Sequence, residues 1–185
     1  TGASGVVLEN TSTITSTSGS TVTLSHTIGN GENRCLLVAV SSRDRSVNSI
    51  TYGGVSLVSV GNRTYGSDAR VYFYSLINPN IGTADIVVTM SGSVSNGVVL
   101  SASSFFGIDQ TVPLGTFASA TGSSSTASVN VSSVAGDYIY DAVTFRNTSN
   151  LTVGAGQTER WDLSSGTIRG AGSSESATTT SSTMS

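Results

Sequence analysis

The stretch Thr21-Val22-Thr23-Leu24-Ser25-His26-Thr27-Ile28 constrains the whole chain. Successive side chains of a β-strand point to opposite faces. Val22, Leu24, His26 and Ile28 therefore share one face, and the Thr and Ser residues share the other. That pattern reads as a strand with one buried side. Period two recurs along the chain, and no window carries a helical stripe. Four Glu, two Gln and no Lys leave few strong helix formers. The 36 Ser and 25 Thr make about a third of the 185 residues hydroxylic.

Other segments follow suit. Cys35-Leu36-Leu37-Val38-Ala39-Val40 is a continuous apolar run, short enough for a central strand covered on both faces. Ile50-Thr51-Tyr52, Gly53-Gly54 and Val55-Ser56-Leu57-Val58 read as a hairpin, the glycines supplying the positive φ of a tight turn. Further strands are expected over 70–77, 85–90, 98–106, 127–132 and 137–145, and a weaker one over 167–171. The tail 176–185 is rich in Thr and Ser, and reads either as a strand or as disorder. The prediction is an all-β chain, a single jelly-roll-like β-sandwich of about ten strands. Residues 11–20 are the one linker-like stretch. Residues 1–17 read as an N-terminal arm and 18–185 as the sandwich domain.

Several function classes are excluded by arithmetic. Without lysine there is no Schiff-base lysine, no P-loop lysine and no lysine isopeptide link. A single cysteine, Cys35, rules out an internal disulfide, and a single histidine, His26, rules out a multi-histidine metal site. A net charge of −3 argues against a nucleic-acid partner. No apolar run is long enough for a membrane-spanning helix. No charged-then-apolar leader opens the chain, and Thr1 is compatible with a processed N-terminus. Asn10, Asn62, Asn130, Asn147 and Asn150 head Asn-x-Ser/Thr acceptors, which mark surface positions in a secreted protein. An extracellular or cell-surface setting is expected.

Candidate chemistry is sparse. His26 lies on an apolar strand face and reads as a core histidine hydrogen-bonded to backbone. Cys35 opens the most apolar strand and reads as a small buried hydrophobe. A glycosidase needs two carboxyls facing one cleft. Asp137 with Asp141, and Glu159 with Asp162, are the pairs that spacing offers, and neither is specific. Asp44, Asp68 and Asp109 fall in loops or at strand ends, where calcium is a candidate ligand, but no Asp-x-Asp-x-Asp spacing supports a built site. Tyr72 with Tyr74, and Tyr138 with Tyr140, share strand faces, which favours packing of aromatic pairs. Trp161 and Tyr65 sit in loop-like stretches. Trp161, Tyr72 and Tyr74 are the candidates for stacking on a sugar ring.

Four segments carry a resemblance. They are Asn33-Arg34-Cys35-Leu36-Leu37-Val38, Ile50-Thr51-Tyr52-Gly53-Gly54-Val55-Ser56-Leu57, Phe106-Gly107-Ile108-Asp109-Gln110-Thr111-Val112-Pro113-Leu114-Gly115, and Gly154-Ala155-Gly156-Gln157-Thr158-Glu159-Arg160-Trp161. Together they resemble a β-sandwich module that recurs in large, adhesin-like secreted and surface proteins of bacteria and archaea. The resemblance spans most of the chain and rests on turns and core positions. It implies a surface module and carries over no catalytic residue. In that family a further aromatic strand end usually follows the position of Met184-Ser185.

The segment with the best claim to function is the arm. Val6, Leu8 and Ile14 fall on one face by even spacing, which suits a strand donated to another sheet. The expectation is a non-enzymatic, extracellular structural or adhesive protein without a cofactor, its chief partner copies of itself, assembled by strand exchange into a filament. A carbohydrate-binding module and a virion surface protein are the alternatives.

Overall fold

The computed structural model describes residues 5–185. Among these residues there is no helix, and the strands form antiparallel sheets. The first nine strands are β1 (Val7–Ser16), β2 (Thr21–Ile28), β3 (Cys35–Ser42), β4 (Val47–Tyr52), β5 (Val55–Ser56), β6 (Val58–Tyr65), β7 (Ala69–Ile77), β8 (Gly82–Met90) and β9 (Val98–Phe106). They pair as a nested ribbon: β1 with β9, β2 with β8, β3 with β7, and β4 with β5. Rolled up, the ribbon gives one sheet ordered β1-β9-β3-β7-β6 and a second ordered β2-β8-β4-β5. This is the connectivity of a jelly roll, with β6 added at one edge.

The main core lies between these two sheets. The inner face of β2 is Val22, Leu24, His26 and Ile28, with every intervening residue exposed. They meet Leu36, Val38 and Val40 of β3, Leu100 and Ala102 of β9, Ile50 of β4, and Ile86 and Val88 of β8. The β4–β5 hairpin is present as expected, with Tyr52 opposite Val55 and positive φ at Gly53 and Gly54.

The remaining strands form a third layer. They are β10 (Val129–Ser132), β11 (Tyr138–Tyr140), β12 (Val143–Phe145), β13 (Thr158–Ser165), β14 (Ile168–Ser176) and β15 (Ser181–Met184). β14 pairs with β13 along one side and with β11 and β12 along the other, while β10 pairs with β15. A second, smaller core joins this layer to the outer face of the five-stranded sheet: Ala39, Phe73 and Val99 against Trp161 and Ile168. β3 and β9 are therefore buried on both faces, the arrangement the run 35–40 predicted.

Three local expectations need correction. Among the described residues the strands number fifteen rather than about ten. The linker-like stretch 11–20 is mostly strand, because β1 runs to Ser16 and pairs with β9 of its own chain. Tyr65 closes β6, and Trp161 lies inside β13, not in loops.

Candidate functional site

β1 is an edge strand, and a bulge at Glu9 interrupts its register with β9. An extra residue reverses the alternation of faces. Leu8 stands opposite Phe105 on the outer face, whereas Ile14 stands opposite Leu100 on the jelly-roll side. Even spacing placed Val6, Leu8 and Ile14 on one face, and the bulge separates Leu8 from Ile14. Past the bulge, the inward positions are Asn10, Ser12 and Ile14. Ile14 is still 37% exposed. The strand is held largely by directional bonds. Asn10 Nδ2 donates to Thr27 O, Ser12 Oγ meets His26 Nδ1 at 2.9 Å, and Thr11 Oγ1 meets Ser103 Oγ at 2.9 Å. Glu9 accepts from the Gly29 N–H and the Ser104 hydroxyl.

His26 is buried, and burial pushes it down to about 4, against the raising influence of the Glu9 carboxylate. Its partner is a hydroxyl rather than backbone, and its Nε2 has no partner among the described residues. Cys35 is buried too, and burial pushes the thiol up to about 12, which removes the thiolate that reactivity needs.

The aromatic candidates for sugar stacking do not form a platform. Trp161 and Tyr72 are buried in the two cores, and Tyr74 is half-buried against the main one. The reason is register: Tyr72 and Tyr74 point between the two jelly-roll sheets, and the indole of Trp161 lies against Gly170 and Gly172. Tyr138 and Tyr140 pack edge-on against Phe105, with ring centroids 5.8 and 5.6 Å away.

Glu159 is exposed, and the other candidate carboxylates are engaged one by one. Asp137 accepts from the Val134 N–H, and Asp141 accepts from both the N–H and the hydroxyl of Ser173. Asp162 and Arg169 form a buried ion pair, from which Arg169 reaches Thr148 O at 2.6 Å. Asp44 binds Ser95, Asp68 faces Arg43 and Arg146, and Asp109 caps its own turn. Among the described residues no three metal-ligating side chains gather. Of the sequon asparagines, Asn62, Asn130, Asn147 and Asn150 are exposed, while Asn10 is half-buried and tied to Thr27.

Sequence reasoning missed a large concavity. Residues 107–128 carry no regular structure and roof a partly open cleft of about 1660 Å³. One wall is the outer face of the five-stranded sheet, including Leu37, Phe73 and Phe105. The opposite wall is the unpaired edge of β11 and β12. Tyr65, which is 45% exposed, lies at the cleft with Arg63, Asp68 and Arg146. A structureless segment of this length inside a folded domain is the only signal the sequence offered.

No family model, curated protein or solved structure matches the chain. The resemblance to adhesin-like modules therefore has the all-β sandwich fold as its structural support.

Proposed function

We propose that this chain is a non-enzymatic structural or adhesive module of an extracellular surface, which polymerises by exchanging its first strand between copies. The observation that carries this reading is the hold on β1. It is an edge strand whose inner face past the bulge is Asn10, Ser12 and a partly exposed Ile14, and its main attachment is a backbone ladder to β9. A neighbour's identical strand can form the same ladder, so exchange costs little beyond the order of the connecting turn. Low net charge lets copies approach without strong repulsion. The exposed sequons suit a glycosylated outer surface, and the virion setting fits the same observations.

Electron microscopy and light scattering of the purified chain, with and without residues 1–17, test this. Polymers that vanish on deletion support it. A monomer in both forms sinks it.

The cleft favours a second reading, a carbohydrate-binding module. The supporting feature moves from the buried Trp161 to exposed Tyr65, which lines the cleft along with Arg63, Asp68 and Arg146. A glycan screen of the chain and of Tyr65→Ala distinguishes it: binding that the substitution abolishes supports the cleft.

A further inference from the structure

Three side chains from separate parts of the third layer meet in an arrangement the assembly reading does not use. Ser173, 2% exposed, sits on β14. Its hydroxyl is 3.0 Å from Asp141 Oδ1, and its N–H donates to the same oxygen at 2.6 Å. On its other side the hydroxyl is 3.3 Å from Oε1 of Gln157. That carboxamide oxygen also faces the N–H groups of Gly154, at 3.2 Å, and Ser185, at 3.4 Å. The Gly154 N–H is shared with Ser185 O. The Gln157 Nε2 donates outward to Thr183 O at 3.1 Å.

A nucleophile bonded to a base, beside a carbonyl whose oxygen faces backbone donors, is the constellation of acyl transfer. Here the acyl group belongs to the protein itself. We propose that Ser173 and Gln157 join in an intramolecular ester, with Asp141 as the base. Ser173 Oγ attacks Gln157 Cδ and forms the C–O bond, while the hydroxyl proton passes to the Asp141 carboxylate. The oxyanion develops on Oε1, between the two N–H donors. The Cδ–Nε2 bond then breaks, the proton on Asp141 goes to the nitrogen, and ammonia leaves. A hydroxyl and a carboxamide become an ester and ammonia, with no change of oxidation state.

The surroundings suit this step. Burial holds the Asp141 carboxyl above the usual range, against the lowering by its bonds from Ser173 and reinforced by Glu175, which makes it a stronger base. Ser173 is shielded from water, which protects the product from hydrolysis. The link would join the entrance of β13 to β14, in the layer with the smaller apolar core. It gives a chain with one buried thiol a cross-link that needs no oxidant.

The test is the intact mass of the purified full chain, held at neutral pH. The expected mass is lighter than the sequence by one ammonia. Cleavage at arginine separates peptide 147–160, which holds Gln157, from 170–185, which holds Ser173. The ester keeps them together, and hydroxylamine parts them, leaving a hydroxamate on Gln157. Ser173→Ala and Asp141→Asn, checked for folding by circular dichroism, are expected at their full sequence mass. Full mass for the parent chain, with the two peptides recovered separately, overturns the proposal without reference to any variant. A cross-link that persists in Asp141→Asn overturns the assignment of the base.

Discussion

His26 Nδ1 and Ser12 Oγ lie 2.9 Å apart and join two facing sheets, tying the edge strand β1 to β2 across the core. The imidazole is buried and held to about 4 by the loss of water. The unfolded chain binds this proton near 6.5, so between 6.5 and about 4 it carries more protons than the folded chain. Stability from this group is complete above 6.5 and is lost as pH falls toward 4. The full loss is about 3 kcal/mol. Urea unfolding at pH 7 and pH 4.5, compared with His26→Gln, measures it. The variant is expected to lack this part of the acid sensitivity.

Trp161 depends on two glycines. A Cβ at position 172 would stand 2.3 Å from the indole Nε1, and one at 170 would stand 3.0 Å from its ring and 2.6 Å from Ser41 Oγ. Gly172→Val should therefore displace the indole and cost about 1–3 kcal/mol. Trp161 is the sole tryptophan. Its fluorescence should shift to the red in this variant while far-ultraviolet dichroism keeps its sheet signal.

The Arg169–Asp162 pair is buried, and Asp162 also accepts from the Leu151 N–H. Arg169→Met leaves that carboxylate uncompensated and should cost about 3–5 kcal/mol. The double variant Arg169→Met with Asp162→Leu should recover much of that loss. Thermal unfolding of the three proteins checks the order.

Cys35 is expected to stay silent toward a thiol reagent in the folded state. It is buried and held near 12. Labelling should proceed only at the rate at which the chain opens, and should become immediate in denaturant. Fast labelling under native conditions would show that β3 opens locally.

Much of the jelly roll was legible because burial there follows the simplest rule. β2 alternates at every position, and the run 35–40 announced a strand covered twice. The third layer hid behind serine. Ser101 and Ser103 lie on the outer face of β9, opposite Ala39 and Leu37, and both are buried. Ser103 is satisfied by Tyr140 and Thr11, and Ser41 by Thr144, so hydroxyls stand where apolar residues would have signalled a core. The bulge at Glu9 left no mark in the sequence, and it split the expected arm face. Asp141, Ser173 and Gln157 meet only because strand register brings them together, and no motif spacing links them.

The nesting of the four ribbon pairs also orders them in time. A ladder closes sooner when the intervening chain is short, since the entropy lost on closure grows with loop length. The β4–β5 pair is joined by a two-glycine turn, whereas β1 and β9 are separated by all the strands between them. Zipping is therefore expected to run outward from the hairpin, with β1 the last strand to arrive. Until β1 arrives, one edge of β9 stands open beside β3, and the half-built sheet carries an unpaired row of backbone groups.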